Sequence, residues 1–290
     1  MTGLRSSRTQ VGMYVLFVFL YSSVFYWLML HAHSIGGGGG LYVTGIMWCP
    51  ALAAFTTLRL NGRSLSELGW KWPACRYAWM SWWVPLLYAG IAYAIVWVSG
   101  LGGFPNREFM EKLVSRMGVS GSPLVSTIVY VLLTGTLGLI SSFARATGEE
   151  IGWRGFMVPE LAKTTGFTTT ALISGIVWAS WHYPGLIWGD YNNGTPAWYG
   201  LTCFTVMVVA IAVVFAWLRL KSGSLWTGAI LHASHNLYVQ GIFTPLTADR
   251  GKTAWFIDEF GAILPIVAVG FAIYFWRRRR EVECGPASIS

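Results

Sequence analysis

The sequence predicts an all-α fold: a polytopic bundle of about eight membrane-crossing helices with both termini in the cytoplasm. Three observations lead there. Charge is too scarce for a water-facing surface, apolar runs of bilayer length recur along the chain, and Lys and Arg fall unevenly on alternate sides of those runs. Of the 290 residues, 54% are hydrophobic and 11% charged, with 17 Trp. A water-soluble domain carries about 25% charged residues. The deficit is accounted for if most of the outer surface meets lipid.

Runs of about 20 apolar residues, the length that crosses a bilayer as a helix, fall at 11–30, 41–58, 77–99, 125–144, 167–187, 197–217, 225–244 and 258–276. The first follows Arg5 and Arg8 as a signal peptide would. Its length exceeds the roughly 7–15 residues of a signal core, so it reads as a retained span. The second follows the run Gly36 to Gly40, an outer turn without side chains. After the third, Phe104, Phe109, Leu113 and Met117 recur among charges over 104–118. That spacing predicts an amphipathic helix lying in the interface. The fourth, fifth and seventh runs hold the polar groups discussed below. The eighth is the least clean, with Asp258 and Glu259 at its start. Short connections argue for a single transmembrane domain over 1–290, with a motif-bearing core at about 125–245 and no soluble appendage.

Twenty Lys and Arg against twelve Asp and Glu give a net charge of +8. With the N-terminus inside, the inner segments hold Arg5, Arg8, Arg59, Arg63, Lys71, Arg76, Arg145, Arg154, Lys163, Arg219, Lys221 and Arg277 to Arg280. The outer segments hold Arg107, Lys112, Arg116, Arg250 and Lys252. This imbalance is the signature of eight spans with cytoplasmic ends. It places the chain as a multi-pass protein of the bilayer, in a bacterial cell the plasma membrane. No basic patch interleaved with aromatics lies outside the apolar runs, so nucleic acid is not an expected partner. Cys49, Cys75, Cys203 and Cys284 have no paired spacing and read as inert small hydrophobes.

Ionisable residues inside spans are costly and mark function. The fourth run continues into Ala144-Arg145-Ala146-Thr147-Gly148-Glu149-Glu150-Ile151-Gly152-Trp153-Arg154. On a helix, Glu150 and Arg154 share a face and can pair, while Glu149 points about 100° away and is expected to be free for proton transfer. His182 follows Trp178 by four residues, so indole and imidazole share a face. His232 and Asn236 are likewise four apart, with His235 about 60° round from His232. Three helices thus carry polar groups that lipid rejects, and they are satisfied most economically by meeting inside the bundle. A carboxylate and an imidazole can hold and deprotonate water, and a second imidazole with a carboxamide can stabilise an oxyanion. The same side chains, Glu149, His182 and His232, are also the ligand types of a Zn²⁺ site whose bound water would be the nucleophile. A metal-free and a zinc mechanism both remain open at this point.

Glu149-Glu150-x-x-x-Arg154, Trp178-x-x-x-His182 and His232-x-x-x-Asn236 together resemble the three motifs of the CAAX prenyl protease family, also called the CPBP or Abi intramembrane peptidases. The resemblance covers about 145–240, and Glu67-Leu68-Gly69-Trp70 is similar to an upstream element of its members. It implies an eight-helix bundle and endopeptidase activity on a peptide or protein substrate at the membrane. In that family's terms Glu149 and His182 activate water, His232 and Asn236 form the oxyanion pair, and Glu150 with Arg154 lends support. The chain departs from the pattern in placing Trp178 where Phe is usual, a change expected to alter pocket shape more than chemistry.

Two readings from other classes compete: a non-catalytic immunity or scaffold protein, and an ion-coupled transporter using Glu and His as a relay. No paired broken spans in the two halves support the transporter. Taken singly, Glu149-Glu150 could be a helix end paired with Arg145 and Arg154, His182 a packing residue, His232 with Asn236 interhelical glue, and His235 structural. His31 and His33 sit at an outer span end, where solvation explains them. Gly118-Val119-Ser120-Gly121 mimics a rhomboid nucleophile but lies in a polar outer loop. Span geometry poses one difficulty. Counted at 1.5 Å per residue from the inner surface, His182 lies about 22 Å deep, His232 about 10 Å, and Glu149 at the boundary. They converge only if the fifth span starts later or the fourth runs deeper.

Overall fold

The computed structural model describes residues 6–32, 40–117, 122–189 and 191–283, with Arg116 and Met117 described in backbone only. His33, Gly36 to Gly39, Gly118-Val119-Ser120-Gly121 and Cys284 lie outside the described residues. Among the described residues ten helices follow in order: α1 Ser7–His31, α2 Leu41–Leu60, α3 Cys75–Val98, α4 Arg107–Met117, α5 Pro123–Ala162, α6 Phe167–Trp188, α7 Ala197–Ser222, α8 from Trp226–Asn236 onward, α9 Ile263–Arg277 and α10 Arg280–Glu283. Five of them, α1, α2, α3, α5 and α7, are long and apolar enough to cross a membrane, and α9 is a shorter apolar helix.

The polarity of the bundle is inverted relative to a soluble protein. Large apolar side chains face outward along α5, with Leu137 66% and Ile140 67% exposed, whereas Ser22, Thr57, Ser81, Glu149, Glu150 and Arg154 are buried. Lipid tolerates the first set, and only the interior can satisfy the second. The chain is accordingly a multi-pass membrane protein. Inside, Trp181 on α6 donates its indole N–H to Ser22 Oγ on α1 at 2.7 Å. Helix α7, buried along most of its length, lies between α6 and α9.

Helix α5 differs from the span drawn from the sequence. The apolar run ends near residue 144, yet the helix continues unbroken for 40 residues to Ala162, through π-helical stretches at Thr134–Gly138 and Ile151–Met157. The motif residues therefore sit in mid-helix rather than at an end. Glu149 lies thirteen residues before Ala162 and His182 fifteen after Phe167, about 20 Å and about 22 Å along their helices. The helix runs past the end of the apolar run because Glu150 and Arg154 pair inside the bundle and Glu149 accepts from two buried indoles. Helix α8 is also longer, running on through π-helical Leu237–Phe243 to Thr244–Leu246. At the other end of the chain, α9 begins only at Ile263, leaving Asp258 and Glu259 in the preceding loop. Helix α4 forms as its spacing predicts and meets α5 through the Phe109 and Tyr130 rings, 5.1 Å apart.

Two glycines let α2 and α5 approach. A Cβ on Gly148 would lie 2.7 Å from the Met47 carbonyl oxygen, and one on Gly152 would lie 2.5 Å from Pro50 Cβ and from the Tyr14 hydroxyl. Gly90 on α3 has open space in the same position. Gly152→Ala is therefore expected to destabilise the protein by about 1–3 kcal/mol through overpacking. Gly90→Ala, which relieves a helical glycine, should be neutral or stabilising by up to about 1 kcal/mol. Thermal unfolding in detergent, followed by circular dichroism, checks the opposite signs.

Candidate active site

Glu150 is the innermost member of the site, with 0% exposure, and Arg154 beside it is 1% exposed. Their i,i+4 spacing brings Arg154 Nη1 to 2.9 Å from Glu150 Oε1. The same oxygen takes a second partner from α8: His232 Nδ1 at 3.0 Å. A carboxylate oxygen only accepts, so Nδ1 carries the proton and donates. The Arg154 guanidinium lies over two aromatic rings that meet edge-on, 4.1 Å from the Trp178 ring centre and 3.8 Å from that of Phe215. Gly228 on α8 makes room for this, since a Cβ there would lie 2.5 Å from Glu150 Oε2.

Adjacent on the chain, Glu149 turns to a different neighbourhood, as the helical rotation requires. It is 2% exposed, and its Oε2 accepts from Trp178 Nε1 at 2.9 Å and Trp153 Nε1 at 3.2 Å. The expected free carboxylate is thus half engaged. Its Oε1 has no hydrogen-bond partner among the described residues. His182, half-buried on α6, has Nδ1 at 2.9 Å from the Trp178 carbonyl oxygen. A carbonyl only accepts, so the proton sits on Nδ1 and Nε2 keeps its lone pair. Asn236 is half-buried, and its carboxamide makes no hydrogen bond among the described residues. Glu149, His182, His232 and Asn236 all line one cavity of about 800 Å³, together with Trp178, Arg145 and His235.

His235 belongs to a second buried cluster. Its Nε2 donates to Glu259 Oε1 at 2.7 Å, and its Nδ1 meets the Tyr88 hydroxyl at 2.7 Å. Tyr191 donates to the other Glu259 oxygen at 3.2 Å. The sequence signal for this partner was present: Glu259 stood out as an acid spoiling the last apolar run. Trp153 had an equally plain signal, lying four residues after Glu149 on the same helix. The Glu67-Leu68-Gly69-Trp70 element docks beneath the site. The Gly69 carbonyl accepts from Leu225 N at 3.0 Å, and the Trp70 carbonyl from Trp226 Nε1 at 2.7 Å. Gly69 has φ +84°, and a Cβ there would lie 2.7 Å from Arg219 Nη2. Arg219 in turn donates to the Arg154 carbonyl at 2.6 Å. Arg145, which could have neutralised Glu149, makes no ion pair among the described residues.

The zinc arrangement left open by the residue types is not formed. Among the described residues no group of three or more His, Cys, Asp or Glu side chains is placed to hold a metal ion. Glu149, His182 and His232 share the cavity, but each has one polar atom committed to a protein partner: Trp178 for the first two and Glu150 for the third.

Comparison with known proteins matches residues 122–238 to the family described as type II CAAX prenyl endopeptidase Rce1-like. That stretch contains Glu149, Glu150, Arg154, Trp178, His182, His232, His235 and Asn236. A curated relative, the CAAX prenyl protease 2 of Methanococcus maripaludis, is 29% identical over 99 residues, covering 32% of this chain and 35% of that protein. The matched segment spans about a third of the length of that relative.

Removing one member of the buried ion pair should be severe. Arg154→Met leaves Glu150 as an uncompensated buried charge and is expected to cost about 3–5 kcal/mol, with part of the loss recovered in the Glu150→Gln, Arg154→Met double variant. A double-mutant cycle on unfolding in mixed detergent micelles measures both.

Proposed function

With a domain of the Rce1-like family of type II CAAX prenyl endopeptidases over residues 122–238 as the premise, we propose that the chain is an intramembrane endopeptidase. It hydrolyses a peptide bond close to the cytoplasmic membrane face. The observation that carries this is the convergence of Glu149, His182, His232 and Asn236 on one cavity from three helices. In this reading the single domain crosses the bilayer eight times with both ends in the cytoplasm, which agrees with the distribution of Lys and Arg.

The proton positions divide the work. Glu149 Oε1 and His182 Nε2 are both acceptors, so a water can donate one hydrogen to each and turn its lone pair toward a peptide carbonyl. As the oxygen attacks, its proton passes to Glu149 and is later delivered to the leaving amine nitrogen. The carbonyl oxygen becomes an oxyanion facing Asn236 Nδ2–H and His232. His232 already spends its Nδ1–H on Glu150, so it donates through Nε2 only as the imidazolium, for which Glu150 supplies the counter-charge. No step requires a metal.

A peptide carrying a farnesylated Cys followed by three residues, internally quenched, is the first substrate to test, with its unprenylated twin, on protein in lipid nanodiscs. Wild type should cleave, Glu149→Ala and His182→Ala should fall to background, and Asn236→Ala should lose about 10²–10³ in kcat. Cleavage by Glu149→Ala at the wild-type rate would sink the assignment. Phenanthroline or EDTA should leave the rate unchanged; loss of activity with the chelator and its return with Zn²⁺ would overturn the metal-free mechanism.

A further inference from the structure

We infer that Trp178 is a positioning residue for the hydrolytic pair, its indole N–H fixing Glu149 and its main-chain carbonyl fixing His182. The inference rests on Glu149 and His182 acting as proposed above, and goes beyond that reading in assigning what holds them.

The geometry is unusual in using one residue for both. Trp178 Nε1 lies 2.9 Å from Glu149 Oε2, and Trp178 O lies 2.9 Å from His182 Nδ1. Trp153 adds a second N–H to the same Glu149 oxygen at 3.2 Å. Both indoles are donors without acceptor capacity, so they cannot compete for the water proton. By saturating Oε2 they leave Oε1 as the oxygen of Glu149 without a protein partner among the described residues. One donor comes from α5 itself and the other from α6, so the carboxylate is tied across the interface its chemistry depends on. Hydrogen bonds to an ionised acceptor are about twice as strong as neutral ones.

Trp178 is itself held. Its ring carries the Arg154 guanidinium at 4.1 Å, meets Phe215 edge-on at 5.2 Å, and lies 5.4 Å from the His232 ring. It is buried, as is Trp153. A phenyl ring in the same place would keep the stacking on Arg154 and the carbonyl to His182, and would lose only the N–H to Glu149. The presence of Trp at this motif position therefore bears on chemistry as well as on pocket shape.

Two measurements decide the matter, one independent of any substrate. In ¹H–¹⁵N spectra of the protein in detergent, the indole signals of Trp178 and Trp153 are assigned by their loss in Trp178→Phe and Trp153→Phe. Glu149→Gln, which keeps the shape and removes the charge, should move both signals upfield and leave remote indoles in place; signals that stay put overturn the proposal. In the quenched-peptide assay, Trp178→Phe and replacement of Trp178 by benzothienylalanine (sulfur for N–H) should each lower kcat about 10- to 100-fold. KM and melting temperature should stay within about twofold and a few degrees of wild type. Unchanged kcat, or a fall in kcat that tracks a fall in melting temperature, makes Trp178 a packing residue only. If wild type leaves both peptides uncut, the endopeptidase reading is what suffers, and the indole spectra still decide whether Trp178 grips Glu149.

Discussion

An ionised carboxylate taken out of water needs partners, and Glu150 has them on two helices: Arg154 one turn along α5 and His232 across on α8. Much of the surrounding structure follows from partnering one oxygen of this group, Oε1. Arg154 must be buried with it, so two aromatic faces close over the guanidinium where water would otherwise be. Its main-chain carbonyl, in a π-helical stretch where regular backbone pairing lapses, takes the Arg219 side chain. Arg219 needs a passage, and Gly69 in its left-handed conformation leaves one. A chain of dependencies thus runs from one carboxylate to a short loop some eighty residues earlier in sequence.

The pairing also separates two acids that are neighbours in the chain. Rotation of about 100° per residue sends Glu150 toward cations and Glu149 toward indoles. Neutral donors leave Glu149 with its charge uncompensated by any ion pair among the described residues, which is the condition a base needs. Two of the three π-helical stretches among the described residues fall directly after candidate site residues, at Ile151 after Glu150 and at Leu237 after Asn236. Such insertions let a helix re-aim side chains without ending, and they recur at functional sites. Carbonyls in these stretches also take side-chain donors, as Gly241 does from the Tyr130 hydroxyl at 2.6 Å.

Much of this was legible in the residues. Apolar runs located the helices because lipid leaves no other backbone solution, and i,i+4 spacing announced the Glu150 and Arg154 pair and the shared face of His232 and Asn236. Hydrophobicity misplaced the end of α5, because Glu149, Glu150 and Arg154 look like a helix leaving the membrane when they are counted one at a time. Their cost disappears only through contacts with α6 and α8 that lie 29 to 82 residues away. The spacing of Trp178 and His182 shows where the indole sits on its helix but not that its nitrogen meets Glu149. Asp258 and Glu259 fall inside the last apolar run yet belong to the loop before α9, where Glu259 pairs with His235 of α8.

Forty residues of continuous helix measure about 60 Å, twice the roughly 30 Å of a bilayer's hydrocarbon core. The far end of α5 is tied down by the protein: Glu160 meets Arg63 at 2.7 Å and Lys163 at 2.6 Å, and Arg63 reaches on to Gln10 of α1 at 2.6 Å. The level of Glu149 is therefore ruled off from an internal brace, as a mark on a measuring rod is read from its fixed end. Membranes of different thickness can tilt or stretch what lies around the rod, while the spacing between the brace and the Glu149 carboxylate stays the same.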